Sequence, residues 1–231
     1  MRIIGRSALA LSVLLFTASV ARADNIAVGD TITFAHGAGN TGGGAFILTV
    51  NGDPANDFVT FCLQMDRYAD TTSTFLVGGL TDSAIVEDED HGGNAEGKDP
   101  LSSQTAWLYS QLRAGTLEGY DGSENAANAF QWAVWALEDE VWQVPQNDDF
   151  SALANQFVSL GNQAVAGGFS GLLNVRVLNL VQMDGSDAQD QLVLVPEPSS
   201  LLLLCASLLT LGFFYRRHAA QQGSLVRMVS L

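Results

Sequence analysis

Two apolar runs, one near each end of the chain, confine any folded domain to the segment between them. The first runs from Ala8 to Val20, after Arg2 and Arg6, and the second runs from Leu201 to Tyr215. The first is shorter than the roughly 20 apolar residues that a membrane-spanning helix needs, and the second is also short for that purpose. The sequence therefore predicts one independently folding domain, over residues 24–195, which is long enough to bury a substantial core.

The N-terminal run has the features of a cleavable secretory signal. Its positive start is followed by a short apolar stretch and then by Ala21-Arg22-Ala23, a small-x-small cleavage site. A first transmembrane helix is the alternative, but the run is too short for it. We predict a signal peptide over residues 1–23 and a mature chain that begins near Asp24.

The C-terminal run is flanked by a distinctive pair of signals. Pro196, Glu197 and Pro198 precede it, and Arg216 and Arg217 follow it. The prolines end the preceding strand, and the arginines favour a cytoplasmic C-terminus. A Pro-Glu-Pro tripeptide, an apolar helix and a basic cluster, in that order, resemble the PEP-CTERM sorting signal of Gram-negative bacteria.

This resemblance implies a processing route. In that family an exosortase removes the tail, and the sorted proteins accompany exopolysaccharide production. We therefore expect a sorting signal with a transmembrane helix over residues 196–218, a cytoplasmic tail over 219–231, and anchoring in the inner membrane before processing. The mature protein would then reach the cell surface or the extracellular matrix of a biofilm.

The charge of the chain excludes several classes of partner. It carries 25 acidic residues against 10 Lys and Arg, for a formal net charge of -15. All of the acidic residues except Glu197 lie within residues 24–195, together with only four of the basic ones. Such a field repels nucleic acid and anionic membrane surfaces. We expect no nucleic-acid partner.

The densest acidic cluster consists of Glu87, Asp88, Glu89 and Asp90, followed by a glycine pair. Calcium takes six to eight oxygen ligands, so these carboxylates are the candidate ligands for a divalent cation. Their spacing does not match an EF-hand loop, and a solvated loop is the expected outcome. We predict no metal and no cofactor.

Hydrophobic periodicity predicts the fold class. Short apolar runs bounded by Gly, Asn and Asp indicate strands, whereas the middle of the domain has helical spacing, with Ser102 or Ser103 as a cap and Gly115 as a terminator. The predicted strands cover residues 31–35, 45–50, 58–63, 73–77, 172–181 and 191–195, and the predicted helices cover 101–115, 123–142 and 150–160. The expected class is α+β: a β-rich body, sandwich or barrel-like, with a helical insertion, flanked by the signal peptide and a short C-terminal membrane helix.

The usual constellations of catalytic residues are absent from the sequence. The chain has three histidines and no Gly-x-Ser-x-Gly elbow, and no phosphate-binding glycine loop leads into a helix. Cys205 lies in the C-terminal apolar run, which leaves Cys62 as the one cysteine of residues 24–195 and excludes a disulfide within that segment. We predict that the protein is not an enzyme.

Two short motifs remain that could carry chemistry. Phe61-Cys62-Leu63 ends a predicted strand, and Phe130-Gln131-Trp132 lies on the second predicted helix, with Trp135 one turn further along. An aromatic-Cys-apolar strand paired with an apolar-Gln-x-x-apolar-Trp helix resembles the Cys-Gln thioester domains of bacterial surface adhesins.

The resemblance implies a role for each of these residues. Cys62 would supply the sulfur and Gln131 the acyl group of an internal thioester, supported by aromatic side chains at Phe61, Phe130, Trp132 and Trp135. The protein would be a covalent adhesin that captures amines on a surface or matrix polymer. The alternative is a noncovalent structural or binding protein of the exopolysaccharide matrix, in which Cys62 only packs and Gln131 is one polar position on an amphipathic helix.

Overall fold

A computed structural model of the chain describes residues 23–40, 43–85 and 92–196, together with positions 207, 208, 210 and 212. Several predicted features lie outside these residues: nearly all of the signal peptide, most of the C-terminal helix, and the side chains of Glu87, Asp88, Glu89, Asp90, Glu197, Pro198, Arg216 and Arg217. Among the described residues, no helix combines the length and the apolar character that a membrane span needs.

The body of the domain is one six-stranded antiparallel sheet, in the order β3-β2-β1-β4-β7-β8. Its strands are β1 (Thr31–Asn40), β2 (Gly43–Val50), β3 (Asp53–Thr60), β4 (Thr74–Thr81), β7 (Val175–Gln182) and β8 (Gln191–Leu194). The sheet curls until its two edges meet just beyond β3, where Leu192 N–H donates to Phe61 O at 3.1 Å and Leu63 N–H donates to Asp190 O at 3.0 Å. The predicted β-rich, barrel-like body is confirmed as a nearly closed barrel.

The two faces of this sheet bury separate cores, because side chains alternate along each strand. Leu192 and Leu194 belong to a cluster that includes the helices, whereas Val193 between them packs with Ile32 and Leu48 in a second cluster. The sheet is therefore apolar on both sides along much of its length. This explains why the predicted strands read as continuous apolar runs as well as alternating ones.

Three helices follow the first part of the sheet as a single insertion, as the sequence predicts. They are α1 (Ser103–Ala114), α2 (Glu124–Leu137) and α3 (Ser151–Ala166). Ser102 caps α1 by accepting from Thr105 N–H at 3.1 Å, and Gly115 ends it with a φ of 69°, in the left-handed region that glycine adopts readily.

The boundaries of the other two helices differ from the prediction. Helix α2 ends at Leu137 rather than near Trp142, because Asp139 adopts a φ of 59°, which a helix cannot continue. Trp142 is consequently exposed. Helix α3 extends to Ala166, beyond the predicted end at residue 160. A two-stranded sheet of β5 (Ser83–Ile85) and β6 (Lys98–Pro100) was not predicted, because strands of three residues carry too little periodicity.

The start of the domain is fastened to its end. Asp24 N–H donates to Leu194 O at 2.7 Å, and Leu194 N–H donates to the Asp24 carboxylate at 2.9 Å. Arg113 of α1 binds the same carboxylate through both terminal nitrogens, at 2.6 and 2.8 Å. Asp24, the first residue after the predicted signal cleavage site, is therefore a buried anchor that joins β8 to α1.

A second polar cluster ties the start of α1 to the end of α2. Glu138 accepts from the Ser102 hydroxyl at 2.6 Å and from the Ser102 backbone N–H at 3.2 Å, which places a carboxyl group at the N-terminus of α1. Asp99 lies nearby. Its burial, together with the charges of Glu138 and Asp139, raises the pKa of the Asp99 carboxyl to about 7.

We expect this cluster to make stability fall as pH rises from about 4 to 7. The folded protein retains a proton on Asp99 at pH values where the unfolded chain, with an ordinary pKa of 3.8, releases it. The stabilisation is complete below the unfolded pKa and is lost as pH rises through the folded one, at a cost on the order of 2 kcal/mol. Urea unfolding at pH 5 and pH 8 measures it.

Asp99→Asn is the variant that tests this assignment. It should flatten the pH dependence and should make the domain more stable than wild type at pH 8. Glu118→Gln, a change at an exposed carboxyl, is the control and should leave the dependence intact. A wild-type slope that persists in Asp99→Asn would assign the dependence to other groups.

Candidate functional site

Cys62 lies just after β3, at the point where the barrel closes. It is 3% exposed and pairs with Gln191, the first residue of β8, as an isolated β-bridge. The sequence places Cys62 near the end of a strand, and the structure puts it two residues past the end of β3, where β3 no longer pairs with β2. Its backbone is thereby left open to a partner other than a neighbouring strand.

Gln131 of α2 supplies that partner. The Cys62 backbone N–H donates to Gln131 Oε1 at 3.0 Å, and Gln131 Nε2 donates to Cys62 O at 2.8 Å. Both ends of the side-chain amide are thus bound to the same residue, with Gln131 only 1% exposed. The two residues that the sequence singled out are brought together, and the Gln131 amide lies beside the residue that carries the sulfur.

Small residues allow α2 to approach the sheet closely enough for this contact. Helix α2 itself is rich in buried alanine, at positions 126, 127, 129 and 133. On the sheet side a Cβ added to Gly43 would lie 3.3 Å from Trp132 Nε1, and one added to Gly39 would lie 2.8 Å from Asn128 Oδ1. Asn128 also accepts from Asn40 N–H at 3.0 Å, which fixes the β1–β2 hairpin against the helix.

The four aromatic residues predicted as support divide into two pairs. Phe61 and Phe130 are fully buried with ring centroids 4.5 Å apart, in the core between helices and sheet. Trp132 and Trp135 meet edge to face at 5.3 Å, and Trp132 stacks on Phe150. Phe61 and Phe130 therefore fix the positions of the residues that adjoin them in sequence, Cys62 and Gln131.

The sulfur of Cys62 has a polar contact of its own. Gln191 Nε2 donates to Cys62 Sγ at 3.3 Å, and Gln191 is fully buried. Burial raises the pKa of the Cys62 thiol to about 12, an increase that the Gln191 hydrogen bond partly offsets. At neutral pH Cys62 is therefore protonated when it is a free thiol, and its burial also limits access by alkylating reagents.

A pocket of about 350 Å³ opens onto this pair of residues. Cys62 and Gln131 line it together with Trp135, and the exposed side chains of Met65 and Tyr68 lie along it. The glycine-rich β1–β2 hairpin contributes much of the rest of the lining. The pocket thus extends to the buried pair, of which only a small fraction is exposed.

Sequence reasoning missed Gln191 and the buried residues beside it. Gln64, two residues after Cys62, is fully buried: its Nε2 donates to Ile85 O at 2.8 Å and its Oε1 accepts from Asp190 N–H at 2.8 Å. The signal that could have found this cluster is the polar run Gln189-Asp190-Gln191 directly before the apolar strand β8. Polar residues so close to a core strand are buried only when they are paired.

The candidate metal ligands remain untested. Among residues 23–40, 43–85 and 92–196 there is no group of three or more side chains that could hold a metal ion. Glu87, Asp88, Glu89 and Asp90 lie outside the described residues, so the expectation of a solvated acidic loop stays a prediction.

Comparison with known proteins identifies one part of the chain. No curated protein and no solved structure matches it. Residues 194–217 match the family model described as the PEP-CTERM protein-sorting motif. This agrees with the signal recognised at Pro196, Glu197 and Pro198. The match covers the tail and not the folded domain. The chain therefore carries a PEP-CTERM sorting motif, which implies an exported protein that is anchored at the membrane before an exosortase processes it.

Proposed function

We propose that the domain is a covalent adhesion module whose Cys62 and Gln131 form an internal thioester that captures amines on a surface or matrix polymer. The observation that carries this proposal is the double hydrogen bond between the Gln131 amide and the backbone of Cys62. It holds a poor electrophile against the residue that carries the one thiol of residues 24–195.

The geometry also allows the Cys62 backbone N–H to polarise the side-chain carbonyl group of Gln131. In thioester formation Cys62 Sγ attacks the side-chain carbonyl carbon of Gln131, the carbon–nitrogen bond breaks, and the thiol proton leaves with the nitrogen as ammonia. The Cys62 N–H that donates to Gln131 Oε1 would stabilise the negative charge that develops on this oxygen. A buried site favours the product, because water that reached a thioester would hydrolyse it.

The reverse direction gives the proposed activity. An amine that enters through the pocket attacks the Gln131 acyl carbon, the carbon–sulfur bond breaks, and the amine proton ends on Cys62 as a thiol. The product is an amide that joins Gln131 to the target, formed once per molecule without turnover. An exported protein released from its membrane anchor would in this way become attached to whichever amine-bearing polymer surrounds the cell.

The mass of the exported protein tests the proposal directly. We expect it to lie below the mass calculated from the mature sequence by one ammonia, and the Cys62→Ala variant to show no such deficit. Incubation with methylamine should add one methylamine to the wild type and expose one thiol. Alkylation of Cys62 in the untreated protein discriminates less well, because burial alone protects the thiol.

The noncovalent alternative predicts a different result. If Gln131 serves only to pair the backbone of Cys62, the exported protein has the full sequence mass and methylamine does not add. That outcome, obtained after rapid preparation near neutral pH to avoid hydrolysis, would identify a structural or binding protein of the exopolysaccharide matrix instead.

A further inference from the structure

Among the residues that the structure describes, Gln191 is the one side chain that hydrogen-bonds to the sulfur of Cys62. Its Nε2 lies 3.3 Å from Sγ, while its Oε1 has no hydrogen-bond partner among the described residues. A buried carbonyl oxygen without a partner costs stability, so a purely structural explanation for a fully buried glutamine at this position is incomplete. The residue instead directs its amide N–H at the atom where charge would develop.

The residues beside Gln191 have structural roles that it lacks. Asp190 accepts from Ile85 N–H at 2.7 Å and from Asn179 Nδ2 at 3.0 Å, and Gln189 Nε2 donates to Gln64 O at 2.7 Å. These bonds tie the start of β8 to its surroundings. The bridge between Cys62 and Gln191 then fixes the distance between the two side chains through the backbone.

The orientation of the amide matches a sulfur that has no proton. A thiol donates through S–H and accepts only weakly at sulfur, whereas a thiolate or a thioester sulfur can only accept. Gln191 presents its N–H to Sγ. This arrangement suits the bonded sulfur before amine capture and the thiolate released during it.

We propose that Gln191 is a catalytic hydrogen-bond donor that stabilises the Cys62 thiolate as the sulfur leaves Gln131. The proposal rests on the proposed thioester. When an amine attacks the Gln131 acyl carbon, the electron pair of the breaking carbon–sulfur bond moves onto Sγ. The N–H of Gln191 is already in place to donate a hydrogen bond to this negatively charged sulfur. The thiolate then takes the proton that the attacking amine gives up.

Two rates test this role, and one of them does not require a thioester. In a Gln131→Ala background Cys62 is a free thiol beside an enlarged pocket, and its rate of alkylation by iodoacetamide at a fixed pH reports the thiolate fraction. Gln191→Met keeps the length of the side chain but removes the donor. We expect it to slow alkylation roughly tenfold, since hydrogen bonds to charged groups are among the stronger ones. Gln163→Met, at an exposed glutamine of α3, should leave the rate unchanged.

The second rate is methylamine addition with Gln131 intact. Gln191→Met should slow methylamine addition by a similar factor. For Gln191→Glu, the ratio of its rate to the wild-type rate should rise as pH falls, because a protonated carboxyl donates a hydrogen bond whereas a carboxylate repels the thiolate. Thermal unfolding of each variant separates these effects from loss of fold.

The outcomes distinguish the two proposals. A wild-type protein without the ammonia deficit would refute the thioester, whereas the alkylation rates in the Gln131→Ala background would still decide whether Gln191 stabilises the thiolate. If the folded Gln131→Ala protein is alkylated at the same rate with and without the Gln191→Met change, the role of Gln191 is overturned. Amine found on Gln191 by peptide mapping would overturn it as well, since Gln191 would then be the acyl partner.

Discussion

Gln131→Glu is expected to abolish methylamine incorporation and to restore the full sequence mass. Glutamate has the shape of glutamine and keeps an oxygen for the Cys62 N–H, so the bond seen at 3.0 Å has a counterpart in the variant. A carboxyl group, however, has no ammonia to lose and is not attacked by a thiol without activation. The loss of capture should therefore be complete, whereas the fold should survive with reduced stability, because a carboxylate cannot replace the bond that Gln131 Nε2 donates to Cys62 O. Intact mass before and after methylamine treatment measures both effects.

Peptide mapping completes this experiment. In the wild type the added methylamine should be found on Gln131, and the new thiol on Cys62. Gln163→Glu is the matched control, because it makes the same chemical change on the surface of α3 and should leave capture at the wild-type level. Capture that persists in Gln131→Glu would show that another glutamine supplies the acyl group, and Gln191 would be examined first.

Arg113→Met is expected to cost about 3–5 kcal/mol of unfolding free energy. The arginine binds the carboxylate of Asp24, which is 5% exposed, and also donates to the Tyr109 hydroxyl at 2.9 Å. Removing it leaves the buried carboxylate without its side-chain cation and the tyrosine hydroxyl with one partner fewer. Because a domain of this size is stable by only about 5–15 kcal/mol, the change is a large fraction of the total. Urea unfolding of the mature protein measures it.

A double variant and a control show how the loss of unfolding free energy arises. Asp24→Asn combined with Arg113→Met should recover part of the loss, since no charge is then left without its partner. Arg176→Met is the control: Arg176 donates to carbonyl groups of nearby residues in its own segment and has no carboxylate partner in the described part of the chain, so we expect a much smaller effect. A cost below about 1 kcal/mol for Arg113→Met would place the pair among ordinary surface ion pairs.

Much of the local structure could be predicted from the sequence. Ser102 and Ser123 cap their helices and Gly115 ends one, because these residue types satisfy or terminate the helix backbone wherever they occur. The meeting of Cys62 and Gln131 was expected from two motifs on different elements. The closure of the barrel between the end of β3 and β8 could not be predicted in the same way, because hydrophobic periodicity does not specify which strands become neighbours. The bridge between Cys62 and Gln191 is the result of that closure, and Gln191 was missed with it.

Backbone conformation at single residues accounts for other differences. Helical periodicity continues past Leu137 to Val141 and Trp142, yet the left-handed φ of Asp139 ends the helix and leaves Trp142 exposed. An aspartate tolerates that conformation better than most residues, but the sequence offers no glycine to mark the stop. The burial of Gln64 could not be predicted either, because a glutamine just after a strand gives no sign of whether it pairs inside the core or faces water.

The junction of Asp24 with Leu194 has a practical consequence for protein engineering. Because Asp24 N–H donates to Leu194 O at 2.7 Å, the two ends of the folded segment lie side by side, and the chain enters and leaves the domain at a single point. Residues 24–195 could accordingly be inserted into a surface loop of an unrelated carrier protein with short linkers, or closed into a circularly permuted chain, with little strain on either partner. Such a graft would present the pocket beside Cys62 on a scaffold of choice, independently of export and sorting.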